Sequence, residues 1–188
     1  TPLSRLNASD GMATPKAQEA YEKMYATLGG KPVHHTLATH WARLIELLYA
    51  AERMLELATD PEITSPDVRV IPTETPGEGI GIVEAPRGTL THHYETDENG
   101  ILTRVNLIVG TTNNYAPISM SIKKAAQSLI HSGTVISEGL LNKVEMAFRA
   151  YDPCFGCATH SLPGQMPLEV TIRDANGEVV EQLSQFVD

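Results

Sequence analysis

The stretch SEGLLNKVEMAFRAYDPCFGCATH, residues 137–160, joins an amphipathic helix to a compact motif of the metal-binding type. Leu140, Leu141, Val144, Ala147 and Phe148 recur at helical spacing and predict an inward face on a helix over Ser137–Ala150. Pro153 disfavours helix at the residue before it, so the helix must stop near Asp152. Cys154 and Cys157 follow, three residues apart, with Gly156 between them to let the backbone turn tightly. Two thiolates so placed can reach one metal, and soft sulfur selects Zn, Fe–S, Ni or Cu(I) over hard cations. The motif alone fits half a zinc site, a redox dithiol or half of a bimetallic cluster. A zinc site needs about four ligands, and there is no second Cys pair to complete one. A thioredoxin-like dithiol should open a helix after a strand, whereas this motif follows a helix.

Upstream, Thr14 can cap a helix that Pro15 begins and Gly29-Gly30 ends. A longer helix is predicted over His35–Ala58, with Leu37, Trp41, Leu44, Leu48, Ala51 and Leu55 as its core-facing stripe. Residues 59–81 are rich in Pro, Gly, Asp and Thr and read as a long loop. Asn99-Gly100 lies between apolar-rich runs at Ile82–Tyr94 and Leu102–Val109, a hairpin signal. A helix over Ser119–His131 comes next, and a last hairpin around Asn176-Gly177 spans Leu168–Gln182.

The 188 residues suit one domain or a large part of a bigger one. Apolar residues make up 41%, enough for a core. The formal charge of −9, with no Lys/Arg cluster, argues against nucleic acid as a partner. No apolar run approaches the length of about eighteen residues that a membrane span needs, and no secretory leader is read at Thr1–Arg5. With two cysteines close together, the chain reads as cytoplasmic and reducing in context.

The run Asp152-Pro153-Cys154-x-x-Cys157-x-x-His160 resembles the C-terminal signature of [NiFe]-hydrogenase large subunits. Glu84-Ala85-Pro86-Arg87-Gly88 looks like the family segment that lays an arginine over the metal site, and Gly110-Thr111-Thr112 falls where the family cradles the iron's diatomic ligands. The likeness extends from Pro2-Leu3-Ser4-Arg5-Leu6-Asn7 to the end. Cys-Ala-Thr-His, with Asn113-Asn114 after the Thr pair, looks most like the cytosolic group linked to F420, NAD(P) or heterodisulfide-reducing partners. The resemblance implies an α+β fold: mainly helical, with small antiparallel hairpins, the C-terminal portion of the large-subunit fold. It implies an oxidoreductase that activates H2 at a nickel–iron centre with CN and CO on the iron.

By the same resemblance, Cys154 is the terminal nickel thiolate and Cys157 bridges nickel and iron. Arg87 and Asp152 form the polar canopy, the arginine acting as a fixed cation or proton acceptor. Ala85, Pro86, Val109, Gly110 and Thr111 line the pocket for the iron's ligands, although Gly110 stands where some relatives carry Pro. His160, with the Leu107 carbonyl, is a ligand to a nearby Mg or Fe ion. The family uses four cysteines, so the implied partners are the remainder of the large subunit with another Cys-x-x-Cys, an iron–sulfur small subunit and a maturation endopeptidase. That enzyme would cut after His160, dividing residues 1–160 from a 161–188 extension. A non-catalytic, precursor-like or assembly relative, or a simple zinc or iron module, stands as the alternative.

Other features read more plainly. Gly77-x-Gly79-x-Gly81 has the wrong spacing for a nucleotide loop. His34, His35, His40, His92, His93 and His131 read as structural or surface residues. His92 and His93 are adjacent, so on a strand they face opposite sides.

Overall fold

The computed structural model describes residues 1–131, 133–160 and 168–185. Among these, six α-helices and five strands form two compact units, Thr1–Pro153 and Cys154–Asp188. The expected α+β class holds, mainly helical with small antiparallel sheets.

Helices α1 (Pro2–Ala8), α2 (Pro15–Leu28) and α3 (Ala38–Ala58) build the core of the first unit. Leu3 and Leu6 of α1, Tyr21, Met24 and Tyr25 of α2, and Ala42 and Ile45 of α3 close around one another. Helix α2 keeps its expected punctuation, with Pro15 at the start and Gly29 in the left-handed conformation at φ 89°. Its cap differs. Thr14 stands at the N-cap position but makes no side-chain cap bond. Glu52 of α3 accepts from the Lys16 and Ala17 amides at 3.2 and 3.0 Å. A carboxylate here also meets the positive end of the helix dipole.

Helix α3 corrects two expectations. It begins at Ala38 rather than His35, and it turns a different face inward. Ala38, Thr39, Ala42 and Ile45 are buried. Of the expected stripe, Trp41 and Leu48 are half-buried, while Leu37, Leu44, Ala51 and Leu55 stand in solvent. The cause is that α3 is apolar on nearly every side. Its small residues Ala38 and Ala42 let α1 and α2 approach, and the larger leucines are left on the outside.

The sheet has three strands in the order β1 (Glu78–Ala85), β2 (Gly88–Thr96), β3 (Leu102–Ile108), all antiparallel. The run expected as one strand, Ile82–Tyr94, breaks at Pro86-Arg87, and Ala85 pairs with Gly88 across a two-residue turn. Pro86 has no N–H to give a ladder, and Gly88 takes φ 149° to begin the return strand. The second turn is the expected one. Gly100 is left-handed at φ 78°, and Asp97 Oδ1 accepts from the Asn99 and Ile101 amides, each at 2.9 Å.

A short 3-10 turn (Thr112–Asn114) leads into α4 (Tyr115–Leu129), four residues ahead of its expected start. Helix α5 (Glu138–Arg149) follows, capped by Ser137 Oγ. Its Leu140, Leu141, Val144, Ala147 and Phe148 are half-buried, and Ala150 behind them is fully buried. The second unit contains α6 (Phe155–Thr159) and the hairpin β4 (Leu168–Arg173) and β5 (Val179–Gln185), with Gly177 left-handed at its turn as expected. Among the described residues no helix is long and apolar enough to cross a membrane.

Candidate metal centre

Three backbone segments of the first unit meet around Arg87. The first is the turn from Ala85 to Gly88. Arg5 of α1 holds it, donating from Nη1 to the Ala85 carbonyl at 2.7 Å and from Nη2 to the Pro86 carbonyl at 3.1 Å. The same guanidinium grips Glu46 of α3 through two bonds of 2.7 Å. This bidentate pairing pushes the Arg5 pKa still higher, so Arg5 remains a cation.

The second segment is Val109-Gly110-Thr111, where the chain leaves β3. Gly110 lies against Gly88 so closely that a Cβ on it would sit 3.0 Å from the Gly88 nitrogen and 3.2 Å from the Arg87 carbonyl carbon. Thr111 is buried. Asn114 locks the two segments together, donating from Nδ2 to the Arg87 carbonyl at 2.8 Å and to the Gly110 carbonyl at 3.3 Å. Asn113 adds a bond to the Thr89 carbonyl at 2.8 Å.

The third segment is the turn after α5. Asp152 adopts φ 51°, a left-handed conformation unusual for a residue other than glycine. Arg87 Nε donates to its carbonyl at 2.6 Å and stands 3.4 Å from its Oδ2. Arg43 of α3 reaches the same turn, with Nη2 donating to the Ala150 carbonyl at 3.0 Å and Nε 4.0 Å from Asp152 Oδ2. Arg87 and Asp152 are each about two-fifths exposed. Pairs so wetted contribute roughly 0–1 kcal/mol, so this contact orients more than it stabilises.

Of the first-unit residues singled out by sequence, the structure therefore brings together Ala85, Pro86, Arg87, Gly110 and Asp152. Leu107 lies near the end of β3, opposite His92. Arg5, Arg43, Glu46 and Asn114 went unrecognised as site residues. The i,i+3 spacing of Arg43 and Glu46 on a helix is the one local signal for that pair, while Arg5 and Asn114 lie in the Pro2–Asn7 and Asn113-Asn114 runs.

In the second unit, Cys154 is the N-cap of α6, its Sγ accepting from the Cys157 amide at 3.3 Å. A disulfide joins the two cysteines, with Cα atoms 5.3 Å apart. Both sulfurs thus lie together, the arrangement a shared metal requires once both are reduced to thiolates. His160 ends the helix in a left-handed conformation at φ 58° and is exposed. The motif does open a helix, as a thioredoxin-like dithiol would, but that helix is five residues long and no strand leads into it.

A second cluster, Glu78, His93 and Glu95, has donor atoms within 4.8 Å of one another on the sheet face. It occupies the opposite end of β1 from Ala85, and Arg104 already pairs with Glu95 at 3.0 Å. His92 points to the other face, against the Tyr94 hydroxyl.

The geometry coincides with a family-wide match. Residues 1–160 match the nickel-dependent hydrogenase family. An F420-non-reducing hydrogenase iron-sulfur subunit of Archaeoglobus profundus is 59% identical over 98% of this chain and 38% of its own length. The NAD-reducing hydrogenase HoxS subunit beta of Cupriavidus necator is 44% identical over 96% of this chain and 37% of its own. An F420-non-reducing hydrogenase subunit of Methanothermobacter thermautotrophicus is 43% identical over 97% of this chain and 39% of its own. A crystal structure of an NAD+-reducing [NiFe]-hydrogenase in the H2-reduced state superposes with a TM-score of 0.79 at 42% identity, covering 85% of this chain and 35% of that one. The chain thus spans a little over a third of the length of the relatives it matches, and it belongs to the nickel-dependent hydrogenase family.

Proposed function

We propose that this chain is the C-terminal share of a hydrogen-activating large subunit and supplies two of the four cysteine ligands of a nickel–iron centre. The observation that carries the reading is the Arg87–Asp152 contact, fixed by backbone bonds one residue before the Pro153-Cys154 step. The donor chemistry fits: two soft sulfurs held side by side suit nickel and iron. When bound, such a centre supplies the heterolytic splitting of H2.

The chain's own residues then have distinct tasks. Cys154 would hold nickel as a thiolate, and Cys157 would supply the second thiolate of this chain to the centre. Arg87 supplies a fixed guanidinium, aimed by Asp152, and a preorganised cation costs no reorganisation during reaction. Ala85, Pro86, Val109, Gly110 and Thr111 wall the pocket for CN and CO on the iron. His160 and the Leu107 carbonyl serve a Mg or Fe ion. The remaining sulfurs come from an upstream Cys-x-x-Cys, and electrons leave through an iron–sulfur small subunit toward F420, NAD(P) or a heterodisulfide-linked acceptor. The setting is cytoplasmic, and residues 161–188 are an extension that an endopeptidase removes.

A second reading has one observation in its favour. With Cys154 and Cys157 joined, neither sulfur is a thiolate, as in a precursor not yet loaded. Nickel and iron content and H2-dependent dye reduction, measured on the full-length subunit with its partner, separate the two. Cys154→Ser should abolish nickel and activity together. Metal-free, inactive parent enzyme after reduction and processing would overturn the proposal.

A further inference from the structure

Arg43 has a place in this site that neither the family match nor the cysteine motif assigns. It comes from α3, more than forty residues from Arg87 and a hundred from Asp152 in sequence. Its Nη2 donates to the carbonyl of Ala150, the fully buried residue that ends α5. Its Nε is buried, has no hydrogen-bond partner among the described residues, and faces Asp152 Oδ2 at 4.0 Å. Nη1 reaches His40 Nδ1 at 3.4 Å, so on this partly exposed side chain Nε is the nitrogen left over, and beside a carboxylate it is poised for that carboxylate. Asp152 Oδ2 therefore stands between two guanidinium nitrogens, Arg87 at 3.4 Å and Arg43 at 4.0 Å. One turn along the same helix face, Glu46 holds Arg5, which holds the carbonyls of Ala85 and Pro86.

We infer that Arg43 is a positioning residue: it pins the Ala150–Asp152 turn to α3, so that one helix sets the spacing between the strand turn carrying Arg87 and the turn that leads into Cys154. This inference rests on the hydrogenase reading for its effect on turnover, but not for its effect on the turn itself. Arg43 touches neither substrate nor metal. It acts by holding Asp152, and through it the orientation of Arg87. Lysine could supply the charge but not the two directed donors that serve Ala150 and Asp152 at once.

The test uses the assembled full-length enzyme carrying Arg43→Ala, Arg43→Lys, Arg87→Lys and the double variant Arg43→Ala/Arg87→Lys. Arg53→Ala, which breaks an exposed pair with Glu56 away from the Ala150–Asp152 turn, is the control for charge lost from α3. Arg43→Ala should lower kcat for H2-dependent dye reduction by about 10- to 100-fold, the scale of a small misplacement of reacting groups. The KM for H2 and the nickel content should stay at the parental level. Arg43→Lys should recover part of the rate. Arg43→Ala should cost less in the Arg87→Lys background than alone, since both residues act through Asp152. Independently of turnover, the amides of Tyr151 and Asp152 should exchange with solvent at least about tenfold faster in Arg43→Ala, as the turn is released. Parental exchange at these two amides would overturn the inference, as would nickel loss in proportion to rate, which marks an assembly role. If the parent oxidises no H2 yet the exchange responds, the hydrogenase reading fails and the positioning role stands.

Discussion

Arg87 binds Asp152 twice over, donating from Nε to its carbonyl at 2.6 Å and standing 3.4 Å from its carboxylate. The carbonyl bond fixes where the guanidinium sits, and the carboxylate fixes how it is turned. Lysine could place a charge there but not both contacts. Arg87→Lys in the assembled enzyme should therefore lower H2 oxidation by about 10²- to 10³-fold, the usual cost of losing one preorganised donor. Nickel content should not change. Metal analysis and dye reduction on the same sample check both halves, and unchanged turnover would remove Arg87 from the mechanism.

Asn114 is the clasp between the Arg87 turn and the Gly110 segment, and it is buried. Removing the amide in Asn114→Ala strands two carbonyls and should cost about 1–3 kcal/mol. Asn114→Asp should do worse at neutral pH, because a carboxylate would face both carbonyl oxygens. Urea unfolding of the 188-residue chain reads the two shifts. Equal midpoints for parent and Asn114→Ala would mean the clasp holds nothing.

The backbone contact between Gly88 and Gly110 would set a methyl group on Gly110 only 3.0–3.2 Å from main-chain atoms. Gly110→Ala should destabilise by about 1–3 kcal/mol, because the atoms it meets are backbone and cannot rotate away. Gly139, inside α5 with its nearest neighbour 3.9 Å from a built Cβ, should behave oppositely. Gly139→Ala should stabilise by about 0.5–1 kcal/mol through lower unfolded-state entropy. Thermal melts of the two variants side by side check the contrast.

Glu52 has its carboxyl held below the usual range by the Thr14 side chain beside it and by the Ala17 and Lys16 amides. The Thr14 hydroxyl itself falls short of a well-formed hydrogen bond, so the two amide bonds are the firmer contacts. A carboxyl whose folded pKa is depressed adds stability above its unfolded pKa and loses it as pH falls through the folded value. Glu52→Gln should therefore melt earlier than the parent at neutral pH. The two curves should converge in acid, below the depressed pKa. A gap between them that is constant with pH would show that the charge on Glu52 does not matter.

The cysteine pair makes a redox prediction. The chain as described contains no free thiol, so a thiol reagent should find none before reduction and two afterwards. Only the reduced form should take up nickel. Even then it should bind weakly, since two sulfurs make an incomplete ligand set. Equilibrium dialysis with and without reductant checks this, and tight nickel binding by the oxidised chain would contradict it.

What the sequence disclosed was punctuation and local chemistry. Pro15 and Gly29 bound α2, Gly100 and Gly177 mark turns, and Cys154 and Cys157 lie together, because each depends on a few neighbouring residues. The face of α3 was not readable. Leu37, Leu44 and Leu55 repeat at helical spacing as well as Ala38, Ala42 and Ile45 do, and periodicity does not say which side meets this chain's own core. The break at Pro86-Arg87 was hidden because neither residue carries the Asn-Gly signature that marked the next turn. Arg5, Arg43, Glu46 and Asn114 were missed for another reason. Three of them clasp main-chain carbonyls and the fourth, Glu46, braces Arg5, across separations of up to 107 residues, and no short pattern encodes such pairings.

Arg43 and Glu46 are separated by three positions on one helix, and each position turns the axis by about 100° and advances it by about 1.5 Å. The two segments they brace are thereby metered by helical pitch. Inserting or deleting one residue between them would swing one side chain roughly a quarter of the way round the helix, away from its segment. This short interval of α3 should accept exchanges at the exposed Leu44 but no change of length.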